Sequence, residues 1–167
     1  MKTEPLDITI RRAKKSDGPA LGRYGVALMR QHHDFDAERF MLPTRMSSRM
    51  MEAGYRWWLL REARSKKAVV LVAERKGKPI GYAYGRLEGR DWYAYRDACG
   101  MFHDLWVDEA ARSQGVGARL AEEMMQRLRE LGAPRVVLST AVKNEPAQRL
   151  FRKLGWRPTM IEMTREA

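Results

Sequence analysis

The stretch from Phe102 to Leu131 constrains this chain more than any other. Phe102 to Val107 reads as a strand, and Gly115 to Leu131 places Val116, Leu120, Met124, Leu128 and Leu131 at the spacing of an amphipathic helix. Gly132 and Pro134 stop that helix. A strand therefore runs through a short polar loop into a helix that opens at two glycines, Gly115 and Gly117. The first helical turn leaves N–H groups unpaired and carries partial positive charge. Glycines let an anion approach those donors with no β-carbon in the way, and Arg112 adds a fixed charge beside them. Arg112, Ser113, Gln114, Gly115, Val116, Gly117 and Ala118 form a candidate pyrophosphate cradle. Packing glycines would give the same Gly-x-Gly pattern. A Walker loop is excluded because no Gly-Lys-Ser/Thr follows, and a dinucleotide fingerprint because its third glycine is missing.

The rest of the chain supplies a sheet around this unit. Asp7 to Arg12 alternates around Ile8 and Ile10 as a strand. Ser16 and Asp17 offer N-caps to a helix with Leu21, Tyr24 and Leu28 on one face. His32 to Pro43 reads as a loop, and Thr44 to Arg64 as a second helix burying Met46, Met50, Trp57 and Leu60. Ala68 to Arg75 and Ile80 to Arg86 make a hairpin across Lys76-Gly77-Lys78-Pro79. Leu87 to Tyr95 carries no readable pattern. Arg135 to Ser139 is a strand, Asn144 caps a helix through Leu154 that Gly155 ends, and Trp156 to Thr164 alternates as a last strand. Strands interleaved with helices, plus a hairpin, predict a single α/β domain over 1–167 with a mixed sheet.

Composition limits the alternatives. The chain has 167 residues and a formal net charge of +11, which suggests a polyanionic partner, a nucleotide cofactor with several phosphates, or solubility alone. The one cysteine, Cys99, excludes an internal disulfide framework and any Cys-based zinc site, and no metal is expected. No apolar run approaches a membrane span and no signal-peptide pattern opens the chain, so a cytoplasmic protein is expected.

Arg112-x-x-Gly115-x-Gly117-Ala118 resembles the pyrophosphate motif of the GNAT superfamily of N-acetyltransferases, and Asn144 to Trp156 resembles that family's second motif. Close matching covers about residues 100 to 157. The resemblance implies the GNAT fold, a mixed and mostly antiparallel sheet flanked by helices in which splayed strands open a wedge. It implies acetyl-coenzyme A as acetyl donor, Leu105, Trp106 and Val107 along the pantetheine, the cradle on the pyrophosphate, and Asn144 and Phe151 near the pantetheine arm. Phe151 departs from the family's tyrosine and has no proton to give a departing thiolate. The acceptor implied is a primary amine on a small molecule or peptide. A homodimer is compatible with this reading, and neither nucleic acid nor membrane is expected as a partner. A nucleic-acid-binding module, or a silent acetyl-coenzyme A sensor, are the rival readings.

An amine attacks only when neutral. For an alkylammonium, reaching neutrality at pH 7 costs about 4.6 kcal/mol, so a base is useful. Strict alternation would put Met101, His103, Leu105 and Val107 on one strand face and Phe102, Asp104 and Trp106 on the other. His103 is the first candidate base on that pattern, against the alternative of a satisfied core histidine. Glu88 is the second candidate and Asp104 the third.

Overall fold

A computed structural model describes residues 7–165. The central pair of strands explains the layering. β2 (Ala68–Arg75) is buried continuously from Ala68 to Ala73, and β3 (Lys78–Glu88) from Gly81 to Gly85. Apolar runs of that kind need cover on both faces. β1 (Ile8–Arg12) pairs outside β2, and β4 (Cys99–Val107) outside β3, all antiparallel. β5 (Val136–Leu138) adds a parallel strand at the β4 edge, giving the order β1-β2-β3-β4-β5.

One face packs under α3 (Val116–Glu130) and α4 (Glu145–Lys153), joining Val69, Leu71, Ala83 and Phe102 to Leu120, Met124, Leu128 and Phe151. The other packs under α1 (Gly18–Phe35) and α2 (Ser48–Glu62), joining Val70, Val72, Tyr82 and Tyr84 to Leu21, Tyr24 and Leu59. The mixed sheet with helices on both faces is the α/β architecture expected.

Several boundaries differ from the sequence reading, each for a tertiary reason. α1 continues to Phe35, where His32 and Phe35 pack edge to face, so the expected loop begins only at Asp36. Ser16 lies in a 3₁₀ turn, Lys15–Asp17, and caps nothing. Asp17 occupies the N-cap position of α1, yet its carboxylate accepts from Lys14 N–H at 2.8 Å and from the Arg11 guanidinium at 2.7 and 2.9 Å. α2 starts after Ser47, whose Oγ accepts from Met50 N–H at 3.3 Å, so Thr44 to Ser47 lie outside the helix. Its buried residues are Met51, Leu59 and Glu62, whereas Met46, Met50 and Trp57 are exposed. Apolar residues stand on two faces of α2, and the polar contacts of Tyr55 and Glu62 with the sheet select the inner one.

The hairpin turn is only Lys76-Gly77, both at positive φ (49° and 75°), so β3 begins at Lys78 and absorbs Leu87 and Glu88. The unreadable segment after it closes as a small loop through an Asp91–Arg96 bridge. Trp156 to Thr164 forms no strand. An alternating segment needs a ladder partner, and among the described residues none pairs with it, leaving Met160, Ile161 and Met163 exposed.

α1 and α2 cross closely at Gly22, where an added β-carbon would sit 2.6 Å from the Glu52 carbonyl oxygen. Gly22→Ala should force the helices apart and cost about 1–3 kcal/mol, a Tm drop of about 3–10 °C. Gly54, on the outer face of α2, has nothing within 4 Å. Gly54→Ala should raise Tm by about 2–4 °C through helix propensity. Calorimetry showing the same sign for both would mean that the crossing is misdescribed.

Candidate active site

The loop between β4 and α3 has the backbone of an anion cradle. Ser113 and Gly115 both adopt positive φ (60° and 78°), so successive N–H groups turn toward one concavity rather than along a strand. Gly115 is the N-cap residue of α3 with no side-chain cap. Among the described residues, no main-chain acceptor holds the N–H groups of residues 113 to 118 in a hydrogen bond of good geometry. Gly117 leaves the approach free of a side chain, with Leu150 Cδ2 and Val107 Cγ2 the nearest atoms to a built β-carbon at 3.4 and 3.8 Å. Ala118 follows in the same turn, and Val116 points into the core, where it fixes the helix on the sheet.

The loop's polar side chains hold this shape. Arg112 donates through Nε to Val107 O at 3.0 Å and lies 5.0 Å over the Trp106 ring. Gln114 donates through Nε2 to Ala110 O at 2.8 Å and accepts from Arg75 Nη2 at 2.6 Å. Arg75, which the sequence reading did not single out, thus brings a second guanidinium to the cradle from the end of β2.

β4 is open beside the cradle. Asp108 N–H donates to Ile80 O at 2.9 Å, which fixes the alternation of the antiparallel pair. Trp106 and Asp104 turn their main-chain groups to β3, whereas Leu105 and Val107 turn theirs away from it. β5 would face them there, but β5 pairs with β4 only through Gly100, Met101 and Phe102. The strands part beyond Phe102, and Leu105 and Val107 line the opening. Asn144 spends its side-chain oxygen as the cap of α4, accepting from Ala147 N–H at 3.3 Å. Phe151 packs edge to face with Phe102 and Trp156, with ring centroids at 5.8 and 5.7 Å, inside the apolar core.

The face assignment of His103 requires correction. The β3–β4 register is Tyr84 with Asp104, then Gly85 with Phe102, so β4 carries one extra residue at His103. This bulge interrupts strict alternation. Leu105 and Val107 share the α3 face with Phe102, while His103 stacks on Tyr84 at 5.2 Å and 18° on the α1–α2 side. His103 Nε2 lies 2.8 Å from Glu88 Oε1. An ionised carboxylate only accepts, so Nε2 is the donor toward it, and in a neutral ring that places the lone pair on Nδ1. Both side chains are about one-third exposed (32% and 30%), which leaves them accessible to an acceptor. A buried core histidine is therefore not what the structure shows.

Asp104 is engaged elsewhere. It is buried and accepts from Tyr82 OH at 2.9 Å and Tyr55 OH at 3.1 Å. Burial raises its carboxyl above the ordinary range, opposed by those two hydroxyl bonds and by the nearby His103 and His32. Burial likewise pushes the Tyr55 and Tyr82 hydroxyls up. Glu62 is satisfied in the same way by Tyr84 OH at 2.9 Å and Arg86 at 3.3 Å. Sequence reasoning missed these tyrosine–carboxylate pairs, because the partners are far apart in the chain.

Comparisons with known proteins bear on the family and the fold. The model of the family described as "Acetyltransferase (GNAT) family" matches residues 28–156. A mycothiol acetyltransferase of Thermomonospora curvata is 29% identical over 106 residues, 59% of this chain and 33% of that protein. A D-amino-acid N-acetyltransferase of Saccharomyces cerevisiae is 35% identical over 85 residues, 51% of this chain and 52% of that protein. The matches span about a third to a half of the length of these curated relatives. The crystal structure of a mutant Bacillus halodurans protein has the same fold, with TM-score 0.74 at 21% identity over 95% of this chain and 99% of that one.

Proposed function

This chain belongs to the GNAT acetyltransferase family, and from that premise we propose that it transfers an acetyl group from acetyl-coenzyme A directly to a primary amine of a small molecule or peptide. The observation that carries this reading is one juxtaposition. A nest of outward-turned N–H groups at residues 113 to 118 adjoins a strand edge where the sheet parts, with the Leu105 main chain and the Val107 N–H turned outward while Val107 O accepts from Arg112, and His103 with Glu88 lies at the bulge just before it.

The residues fit the donor on grounds of this structure, since the cradle lacks a β-carbon at Gly117 and the strand edge offers main-chain groups where the sheet parts. When bound, acetyl-coenzyme A would supply an acetyl thioester for the amine to attack, the C–S bond breaking to release coenzyme A as its thiolate. The N–H groups of Ser113 to Ala118, with Arg112, would hold its pyrophosphate. Leu105 and Val107 would align its pantetheine arm by strand-like pairing, and Leu105 N–H would be the donor available to the thioester carbonyl. Asn144 and Phe151 border the arm. His103 Nδ1 takes the proton of the attacking amine while Glu88 orients the ring through Nε2.

The acceptor is best sought among monoamines, amino-acid-like compounds and peptide N-termini. One relative is named for D-amino acids. The net charge of +11 repels polycations. The carboxylates around His103 are already engaged, Glu88 and Asp91 by Arg96, Asp104 and Glu62 by tyrosines. A thiol-release screen over such amines, with spermidine included, should find an acceptor that outpaces spermidine. Thiol release that no amine raises above the buffer rate would refute amine transfer, and spermidine leading the screen would refute the acceptor class.

A further inference from the structure

We infer that Arg96 is a positioning residue that shares the charge of Glu88 and so keeps His103 a base near neutral pH; this rests on the reading of His103 as the base. Arg96 Nη2 lies 3.1 Å from Glu88 Oε2 and 3.6 Å from Asp91 Oδ2, and Nη1 donates to Cys99 Sγ. Only 16% of the side chain is exposed, so solvent screens the charge weakly. The loop is built around it. Asp91 and Arg96 exchange main-chain bonds of 2.8 and 2.9 Å, Asp91 Oδ1 accepts from Tyr93 and Ala94 N–H, and Tyr95 takes φ +48° immediately before Arg96. A cavity of about 360 Å³ opens here, lined by Glu88, Arg96, Trp92 and Tyr93 among others.

The need for such a residue follows from the charges around the ring. From β3, His103 meets the Glu88 carboxylate and the neutral Tyr84 ring, with Arg86 and Glu62 of α2 paired behind Tyr84. From β4 come the buried Asp104, already holding two tyrosine hydroxyls, and the Cys99 thiol. From α1, His32 acts on the same Asp104. From the loop come Arg96 and Asp91. An unshared carboxylate at 2.8 Å would favour the imidazolium, which has no lone pair for an amine proton. Arg96 binds the far oxygen of that carboxylate, so Glu88 fixes the tautomer without holding the ring protonated.

The test is the titration of His103 itself, followed by the NMR shift of its ring proton and assigned among the three histidines with His103→Ala. In Arg96→Met the midpoint should move up by about one pH unit, and the ascending limb of kcat/KM should move with it. Arg96→Lys keeps the charge and should return both toward the parent. Adding Glu88→Gln to Arg96→Met should bring the midpoint back down. An unchanged midpoint in Arg96→Met overturns the inference, as does Arg96→Lys behaving like Arg96→Met, since loop shape rather than charge would then be responsible. A midpoint that rises while the rate limb stays still supports the role of Arg96 on the ring and refutes His103 as the base.

Discussion

Gly117→Glu is expected to abolish acetyl-coenzyme A binding while leaving the fold intact. The two consequences separate because a β-carbon at this position meets only Leu150 Cδ2 at 3.4 Å and Val107 Cγ2 at 3.8 Å, ordinary contact distances. The helix itself starts at Val116 on the buried Val116, Leu120 and Met124 face, which the substitution does not touch. The carboxylate, however, enters a concavity of N–H donors and competes with the pyrophosphate for them, and its charge repels the anion. For the parent, ligand at one hundred times Kd should add about 2.7 kcal/mol to native stability, a Tm increase of about 5–10 °C for a domain of this size. The variant should melt close to the unliganded parent and show no increase with ligand. Gly117→Ala, lacking the charge, should retain a partial increase. An undiminished ligand-dependent increase in Gly117→Glu would place the cradle elsewhere.

The loop from β4 into α3 was legible in the sequence because most of what shapes it is local, the contact of Gln114 with the distant Arg75 being the exception. Gly115 at positive φ, the polar loop and the Val116-Leu120-Met124-Leu128 stripe lie within one short stretch, and helix periodicity reports them directly. The same holds for Asn144 as a cap and for the buried hairpin strands. What failed depends on partners distant in the chain. The bulge at His103 is a property of the register between β3 and β4, and no pattern within Met101 to Val107 announces it. The inner face of α2 is chosen by the contacts of Tyr55 with Asp104 and of Glu62 with Tyr84, so a helix with Met50 and Trp57 on its other side misled a reading based on hydrophobicity alone. The tail from Trp156 alternates well enough for a strand, yet β5 is only three residues long, and among the described residues no ladder extends to the tail. Arg96, just past the segment with no readable pattern, was not singled out because its meaning is its partners, Glu88, Asp91 and Cys99.

His103→Ala should lower kcat/KM by about 10² to 10⁴, the usual scale for losing a positioned base, with little change in acetyl-coenzyme A affinity. The bulge sharpens this expectation. Because His103 lies on the Tyr84 side and the cradle begins beyond Val107, the imidazole contributes no donor to the pyrophosphate, so cofactor binding and catalysis should respond independently. Stability should also be largely spared, since the ring is one-third exposed and its partners are a part-exposed carboxylate and one face of Tyr84. An acceptor amine with an ordinary pKa of about 10.4 must shed a proton, and at pH 7 that costs about 4.6 kcal/mol without help. The deficit of the variant should therefore be largest near neutrality and shrink as rising pH supplies free amine. The parent's kcat/KM should carry an ascending limb that tracks the His103 midpoint, and the variant's should lack it. Glu88→Gln keeps the imidazole and an amide oxygen that can accept, but removes the carboxylate charge and adds a donor that no longer selects Nε2–H, so its loss should be smaller than that of His103→Ala and should not add fully to it in the double variant. Full activity of His103→Ala at pH 7 would dismiss the histidine and leave Glu88, acting through a water on the amine, as the base to test next.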